Sequence, residues 1–134
     1  MSWLLDTDTC SLATRDQSGV ASAILACASS RVHVCAITVA EAWAGALRKP
    51  NHRQLVELWT AFLEPFRDRI LPFDDAAGRE YGAIRAHLEG AGTMIGDRDC
   101  MIAAVARSNR LTLVTGNRRE FERVPHLKLD DWAR

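Results

Sequence analysis

Short apolar runs alternate along this chain with longer segments whose apolar residues recur at helical spacing. The short runs, rich in Leu, Ile and Val, predict strands at 3–5, 31–37, 69–72 and 111–114, and an edge strand at 127–129. The longer segments predict helices at 7–14, 20–28, 39–48, 52–66, 75–89 and 98–108. Strands that alternate with helices usually pair in parallel, because each helix returns the chain to the same edge of the sheet. The sequence therefore predicts an α/β fold with helices on both faces of a parallel sheet.

Length and composition are those of an ordinary globular core. The chain has 134 residues, 48% of them apolar and 25% charged, which predicts one domain over 1–134. Its formal net charge is zero, so overall charge gives no sign of affinity for nucleic acid. No apolar run approaches the roughly 18 to 20 residues of a membrane span, and the run at 3–5 is too short for a signal peptide. We therefore expect a cytoplasmic protein that does not contact a membrane.

The cysteines and histidines predict neither a disulfide scaffold nor a structural zinc site. Cys10, Cys27, Cys35 and Cys100 form no C-x-x-C pair, and the histidines lack the spacing of zinc ligands. Cys27 and Cys35 lie in apolar runs, so we expect them to be reduced and buried as small hydrophobic residues.

Four acidic residues follow or begin these predicted elements at one edge of the sheet: Asp6, Glu41, Asp99 and Glu120. In an open parallel sheet, ligands bind beyond the carboxyl ends of the strands, where side chains distant in sequence converge. Clustered carboxylates repel one another unless protons or cations neutralise them, and they are the ligands that Mg²⁺ and Mn²⁺ prefer. Asp6 and Asp99 are the leading metal ligands, and the predicted chemistry is attack of a metal-activated water on a phosphodiester of RNA or DNA.

Each acid also has a purely structural interpretation. Asp6 suits an Asx turn or a helix cap, and Glu41 stands three residues after the predicted cap Thr38, the spacing of a capping box. Asp97 is predicted to be the N-cap of its helix, which leaves Asp99 for chemistry. Glu120 stands among arginines and suits a surface ion pair. The basic residues themselves suit either solvated helix ends or phosphate contacts, and they form two groups: Arg107, Arg110, Arg118, Arg119 and Arg123, and Arg48, Lys49 and Arg53.

Four motifs together resemble one family. They are LLDTDTC at the start, ITVAEAWAG at 37–45, IGDRDCMIAAVA at 95–106 and LVTGNRREFERV at 113–124. In this order and spacing they are similar to the PIN-domain ribonucleases, and more closely to the VapC toxins of bacterial toxin–antitoxin pairs. The resemblance implies a PIN-like α/β/α sandwich with a mostly parallel central sheet of four to five strands. It also implies an endoribonuclease that depends on Mg²⁺ or Mn²⁺, a homodimer, and neutralisation by a cognate VapB-type antitoxin.

The resemblance assigns roles to individual positions. Asp6, Glu41 and Asp99 match the first three acids of the family. At the fourth position, where relatives often have aspartate, this chain has Asn117, and Glu120 is the nearby acid that could replace it.

Two hydroxyls and one further acid complete this set. Thr7 and Thr115 could position metal-bound water or substrate. Asp8 stands where many relatives have asparagine, and its charge could alter metal affinity. The wide apolar face of the helix at 52–66 fits either packing onto a neighbouring helix or a groove for the antitoxin.

Two other functions fit part of the pattern. Asp6-Thr7-Asp8 after a strand, with the acidic motif at 96–99, resembles haloacid-dehalogenase-like phosphatases, but Cys10 and the order of the later motifs depart from that family. A PIN-like module that binds RNA without cutting it would explain Asn117. Metal-dependent cleavage of RNA, compared between the wild type and Asp6→Ala or Asp99→Ala, separates these possibilities.

Overall fold

A computed structural model of the chain describes residues 1–16, 19–27 and 29–133. Its sheet has five strands, all parallel, in the order β3-β2-β1-β4-β5. The strands are β1 Trp3–Leu5, β2 Val32–Cys35, β3 Ile70–Leu71, β4 Thr112–Val114 and β5 Leu129–Asp130. The predicted parallel sheet is confirmed, although the two edge strands are only two residues long.

Helices fill the connections between the strands, close to the predicted positions. They are α1 Thr7–Thr14, α2 Val20–Ala26, α3 Ala36–Leu47, α4 His52–Leu63, α5 Asp75–Ala91, α6 Asp97–Ser108 and α7 Arg118–Phe121, with 3₁₀ turns at Ser29–Arg31 and Glu64–Arg69. The predicted end of α2 at residue 28 lies outside the described residues. The helix predicted to reach residue 66 ends at Leu63, because Pro65 stands in the first turn of the following 3₁₀ segment.

The two faces of the sheet are covered by different helices. Successive strand residues point to opposite faces, so Leu4 and Leu113 pack with α5 and α6, whereas Leu5 and Val114 pack with α1, α3 and α4. All four side chains are fully buried. The result is the α/β/α sandwich that the resemblance implies, with a hydrophobic core on each side of β1 and β4.

The prediction for the second strand and its helix is wrong at their junction. β2 ends at Cys35, which is also the last residue paired with β3, and α3 begins at Ala36 instead of Val39. The β-branched run extends into the helix because burial, rather than intrinsic propensity, decides its conformation. Thr38 therefore lies within the first turn of α3, and the N-cap is Cys35 instead of Thr38.

Two smaller predictions on helix ends are also corrected. The N-cap of α6 is Gly96, and Asp97 is the first helical residue. The helix predicted to end at residue 89, α5, continues through Gly90 to Ala91, and its C-cap is Gly92, whose φ of 69° is a left-handed conformation that glycine adopts without steric cost.

The predicted burial of the cysteines holds for Cys35 and not for Cys27. The four cysteines are free; Cys10, Cys35 and Cys100 are buried, whereas Cys27 is only half-buried. Within the part of the chain that the structure describes, no helix combines the length and the apolar character that crossing a bilayer requires.

Candidate active site

The site forms where the strand order changes direction, between the adjacent strands β1 and β4. The chain extends the sheet from β1 through β2 to β3 on one side, and β4 and β5 then add to the other side. The residues that follow β1 and β4 are Asp6 and Thr115, and the Asp6 N–H donates to the Val114 carbonyl at 3.0 Å. A crevice at such a switch point is the usual ligand site of an open parallel sheet.

Asp6 is a buried carboxylate with only part of its bonding capacity used. Its side chain is 4% exposed, and Oδ1 accepts a hydrogen bond from the Thr9 N–H at 2.8 Å, which caps α1. Burial raises the pKa of Asp6, and hydrogen bonds from Thr115 and Thr9 oppose that rise. The cap interpretation is therefore correct, but a carboxylate has two oxygens and roughly four acceptor sites, so capping does not exclude a second role.

Glu41 is oriented by a threonine from another helix. It lies in the second turn of α3, where the N-cap at Cys35 rules out the predicted capping box. Instead, Thr7 Oγ1 donates to Glu41 Oε1 at 2.7 Å and lies 3.0 Å from Thr38 Oγ1. The other oxygen, Oε2, forms an ion pair with Arg98 Nε at 3.1 Å.

Asp99 lies in the first turn of α6 and faces the other acids. Burial and the charges of neighbouring carboxylates raise its pKa to about 6. Those carboxylates are, in decreasing order of effect, Glu41, Glu120, Asp6 and Asp8. The structure thus places the other three predicted acids, and Asp8 with them, near enough to Asp99 for their charges to raise its pKa.

Asp97, two residues before Asp99, is engaged elsewhere. It accepts hydrogen bonds from Arg85 and from the Tyr81 hydroxyl, both on α5. Arg85 also donates to Tyr81 at 2.7 Å and to Glu89 at 2.6 Å. Asp97 therefore connects α6 to α5, a structural role that differs from the predicted cap.

Thr115, Asn117 and Glu120 lie at the fourth acidic position of the family and supply a hydroxyl, an amide and a carboxylate. Thr115 is fully buried, and its Oγ1 accepts a hydrogen bond from the Asn117 N–H at 2.9 Å. Asn117 precedes α7, and Glu120 lies within that helix. Within residues 1–16, 19–27 and 29–133, Glu120 forms no ion pair, so the surface-pair interpretation finds no support.

The arginines of the predicted basic group near β4 lie in different places and have different partners. Arg107 is paired with Glu80 at 2.7 Å, and Arg123 donates to the Met94 carbonyl. Arg110 precedes β4 and therefore lies at the edge opposite the acids. Arg118 and Arg119 follow β4, so they are the members of this group at the acidic edge.

The donor atoms suit a hard divalent cation. Among residues 1–16, 19–27 and 29–133, no group of three or more Asp, Glu, His or Cys side chains lies close enough to hold a metal ion unaided. Mg²⁺ needs only one or two direct carboxylates and keeps several waters, so an open arrangement is compatible with it. Burial, and after it the charges of neighbouring carboxylates, raise the pKa of Asp99, and a divalent cation beside these carboxylates would offset their repulsion.

Sequence reasoning missed one residue of the site, Arg98. Its position between Asp97 and Asp99 is the sequence signal that could have indicated it. Together with Glu41 and Gly96, these three residues line a cavity of about 390 Å³.

Comparison with known proteins agrees with this geometry. Residues 3–127 match the family model described as PIN domain. Over 133 residues, 99% of either chain, the sequence is 33% identical to the tRNA(fMet)-specific endonuclease VapC of Salmonella typhimurium. The chain is a VapC-type member of the PIN-domain family.

Further similarities support this VapC-type assignment. The chain is 39% identical to the ribonuclease VapC2 of Haemophilus influenzae over 105 residues, 78% of each sequence. Its structure superposes on DNA-bound VapBC from Salmonella typhimurium with a TM-score of 0.92 and 31% identity, and covers 99% of each chain. The matched region includes every acid of the site, from Asp6 to Glu120, and it favours the nuclease interpretation over the phosphatase one.

Proposed function

We propose that this VapC-type chain is an endoribonuclease that depends on Mg²⁺ or Mn²⁺ and acts as the toxin of a toxin–antitoxin pair. The observation that carries the proposal is the convergence of Asp6, Glu41 and Asp99 beside β1 and β4, with the pKa of Asp99 raised to about 6 by burial and by its acidic neighbours. RNA is a polyanion, so a crevice of carboxylates can accept its backbone only when a cation balances the charge.

Each residue has a distinct part in this proposal. Asp6 and Asp99 hold the cation, because Asp6 is fixed by its cap to α1 and Asp99 faces the shared crevice. Glu41, oriented by Thr7, accepts a hydrogen bond from the attacking water and can take its proton. A bound Mg²⁺ or Mn²⁺ supplies a more acidic water and stabilises the leaving oxygen.

In this proposal, Thr115, Asn117 and Glu120 form the side of the crevice that follows β4. Thr115 is held by the Asn117 N–H, and its hydroxyl contacts Asp6. The negative charge of Glu120 contributes to the raised pKa of Asp99. Its role in this proposal is to orient a water without binding the cation directly. This division explains how Asn117 can replace the aspartate found in many relatives.

An antitoxin is the expected partner, and an apolar cavity suits it. A cavity of about 390 Å³ lies between α1, α2, α4 and the following 3₁₀ turn, and Ile24, Leu25 and Phe62 line it. Leu25 is 85% exposed, which leaves apolar surface available for an amphipathic helix. The similarity to VapBC assemblies supports a VapB-type partner, and a homodimer of the toxin is expected within such an assembly.

The proposed function is tested by cleavage of labelled RNA with Mg²⁺, with Mn²⁺ and with EDTA. We expect cleavage only with the cations, and a loss of at least about 100-fold in Asp6→Asn and Asp99→Asn, because each removes a charge that acts directly on the cation. Asp97→Asn is the matched control, since the carboxylate of Asp97 is already bound by Arg85 and Tyr81 of α5. RNA binding without metal-dependent cleavage would instead identify a binding module.

A further inference from the structure

Arg98 forms an ion pair with an acid of the site, Glu41. Its Nε lies 3.1 Å from Glu41 Oε2, and of the ion pairs formed within residues 1–16, 19–27 and 29–133 it is the one that includes an acid of the crevice. The Arg98 side chain is 71% exposed, whereas that of Glu41 is 22% exposed. The guanidinium therefore approaches from solvent, over the mouth of the crevice.

The neighbouring contacts leave Arg98 with Glu41 as its partner. Asp97, next to it in sequence, is already occupied by Arg85 and Tyr81 of α5. Glu41 has both oxygens engaged, Oε1 by Thr7 and Oε2 by Arg98. A water or a cation that is to use Oε2 must therefore first displace the guanidinium.

We propose that Arg98 exchanges partners during the working cycle: it neutralises Glu41 in the cation-free site and binds an RNA phosphate once a divalent cation enters. This inference rests on the proposed nuclease function and adds a residue to it. A cation held by Asp6 and Asp99 repels the guanidinium, and its bound water competes for the same oxygen of Glu41. Arg98 then lies free at the mouth of the crevice, where its planar fork matches the geometry of a phosphate.

The energies allow such an exchange. An exposed ion pair contributes only about 0.2–1 kcal/mol, so a divalent cation can displace Arg98 readily. The exchange also links the two binding events, because the contact that Arg98 makes with RNA becomes available only after the cation and its bound water have displaced the guanidinium from Glu41. Arg98 thus keeps the empty site partly neutral and gives the occupied site a contact for substrate.

The first test measures binding of Mn²⁺ alone to the metal-free protein by electron paramagnetic resonance. Arg98→Gln should bind Mn²⁺ about twofold to fivefold more tightly than the wild type, the range that corresponds to loss of an exposed ion pair. Arg67→Gln is the matched control, since Arg67 is 67% exposed and pairs with Glu64 before β3, at the opposite edge of the sheet. It should leave Mn²⁺ binding unchanged.

The second test measures RNA binding at saturating Mn²⁺, by fluorescence anisotropy over a series of KCl concentrations. The probe is a phosphorothioate RNA, which keeps the backbone charges and resists hydrolysis. Arg98→Gln should weaken binding about fivefold, the loss of one such contact. It should also lower the slope of log affinity against log salt by about 0.7, the value for one phosphate on a single strand. Arg98→Lys should restore the slope, since the charge remains.

The outcomes separate this inference from the proposed function. Tighter Mn²⁺ binding together with weaker RNA binding in Arg98→Gln supports the exchange, because a merely structural residue would not shift the two in opposite directions. If Asp99→Asn loses Mn²⁺ binding while Arg98→Gln matches the wild type, the exchange is wrong and the nuclease proposal stands. If the wild type itself binds no Mn²⁺, both are wrong.

Discussion

The Thr7 hydroxyl donates a hydrogen bond of 2.7 Å to Glu41 across 34 positions of sequence. It joins the first turn of α1 to the second turn of α3, and so fixes the direction of a carboxylate that has no cap role. The Thr7 hydroxyl thus connects the N-terminal parts of α1 and α3 at the site.

Loss of that hydroxyl should impair cleavage more than folding. Thr7→Val keeps the shape of the side chain but leaves Glu41 Oε1 without its donor, so we expect kcat to fall about tenfold through misorientation. Thr7→Ser should retain most activity because the donor remains. Steady-state kinetics with thermal melts checks this, and a valine variant with unchanged kcat would show that Glu41 needs no such support.

Asp99→Asn should stabilise the metal-free protein at neutral pH. The folded-state pKa of Asp99 is about 6 and its ordinary value is 3.8, so between these values the folded state binds more protons than the unfolded state. The free energy of unfolding therefore falls as pH rises through that window, and above it the charged carboxylate carries the full cost of burial and repulsion.

Thermal melts in EDTA at pH 4 and pH 7.5 measure this effect. The Asn variant should melt higher than the wild type at pH 7.5, and the difference should shrink towards zero at pH 4. Asp75→Asn, at an 84%-exposed carboxylate on α5, is the control and should show no comparable gain. An equal difference at both pH values would contradict the assigned pKa shift.

Asp97→Asn should affect stability and spare catalysis. It breaks the contacts that Asp97 makes with Arg85 and Tyr81, which are exposed to solvent, so we expect a small decrease in the free energy of unfolding. Urea denaturation measures that loss, and the cleavage assay should show activity close to wild type. A large fall in kcat without a stability change would place Asp97 in the site instead.

Divalent cations should stabilise the fold by mass action. At a concentration 100 times Kd, a cation that binds only the folded chain adds about 2.7 kcal/mol. Melting curves with increasing Mn²⁺ should therefore shift upwards in the wild type and barely move in Asp6→Asn. An identical shift in the two proteins would show that the cation binds elsewhere.

Leu25→Asp should weaken the antitoxin complex without changing cleavage. Leu25 lines the apolar cavity beside α2 and is 85% exposed, so a charge there disfavours an apolar partner at little cost to folding. We expect at least about tenfold weaker binding in calorimetry, since burial of a leucine contributes about 1.5–3 kcal/mol. Leu47→Asp, at a 59%-exposed leucine outside that cavity, is the matched control.

Local pattern was enough to predict most elements of the fold. β1 and α1 have the predicted bounds, because Trp3–Leu5 is a short apolar run and Asp6 supplies a cap signal that holds locally. The junction of β2 and α3 was misjudged because β-branched residues continue past the point where pairing with β3 stops. That point depends on the register of another strand, which no local window contains.

The sequence by itself determined which acids were available and that each would stand near the start or end of an element. Composition, spacing and the resemblance to VapC toxins predicted Asp6, Glu41, Asp99 and Glu120, and the parallel sheet that could gather them. Only the tertiary structure decided their partners. Asp97 and Asp99 are the same residue type and both lie in the first turn of α6, yet Asp97 binds Arg85 and Asp99 faces the crevice. The reason is physical: successive residues of a helix point about 100° apart, so the packing of α6 assigns each side chain its neighbours.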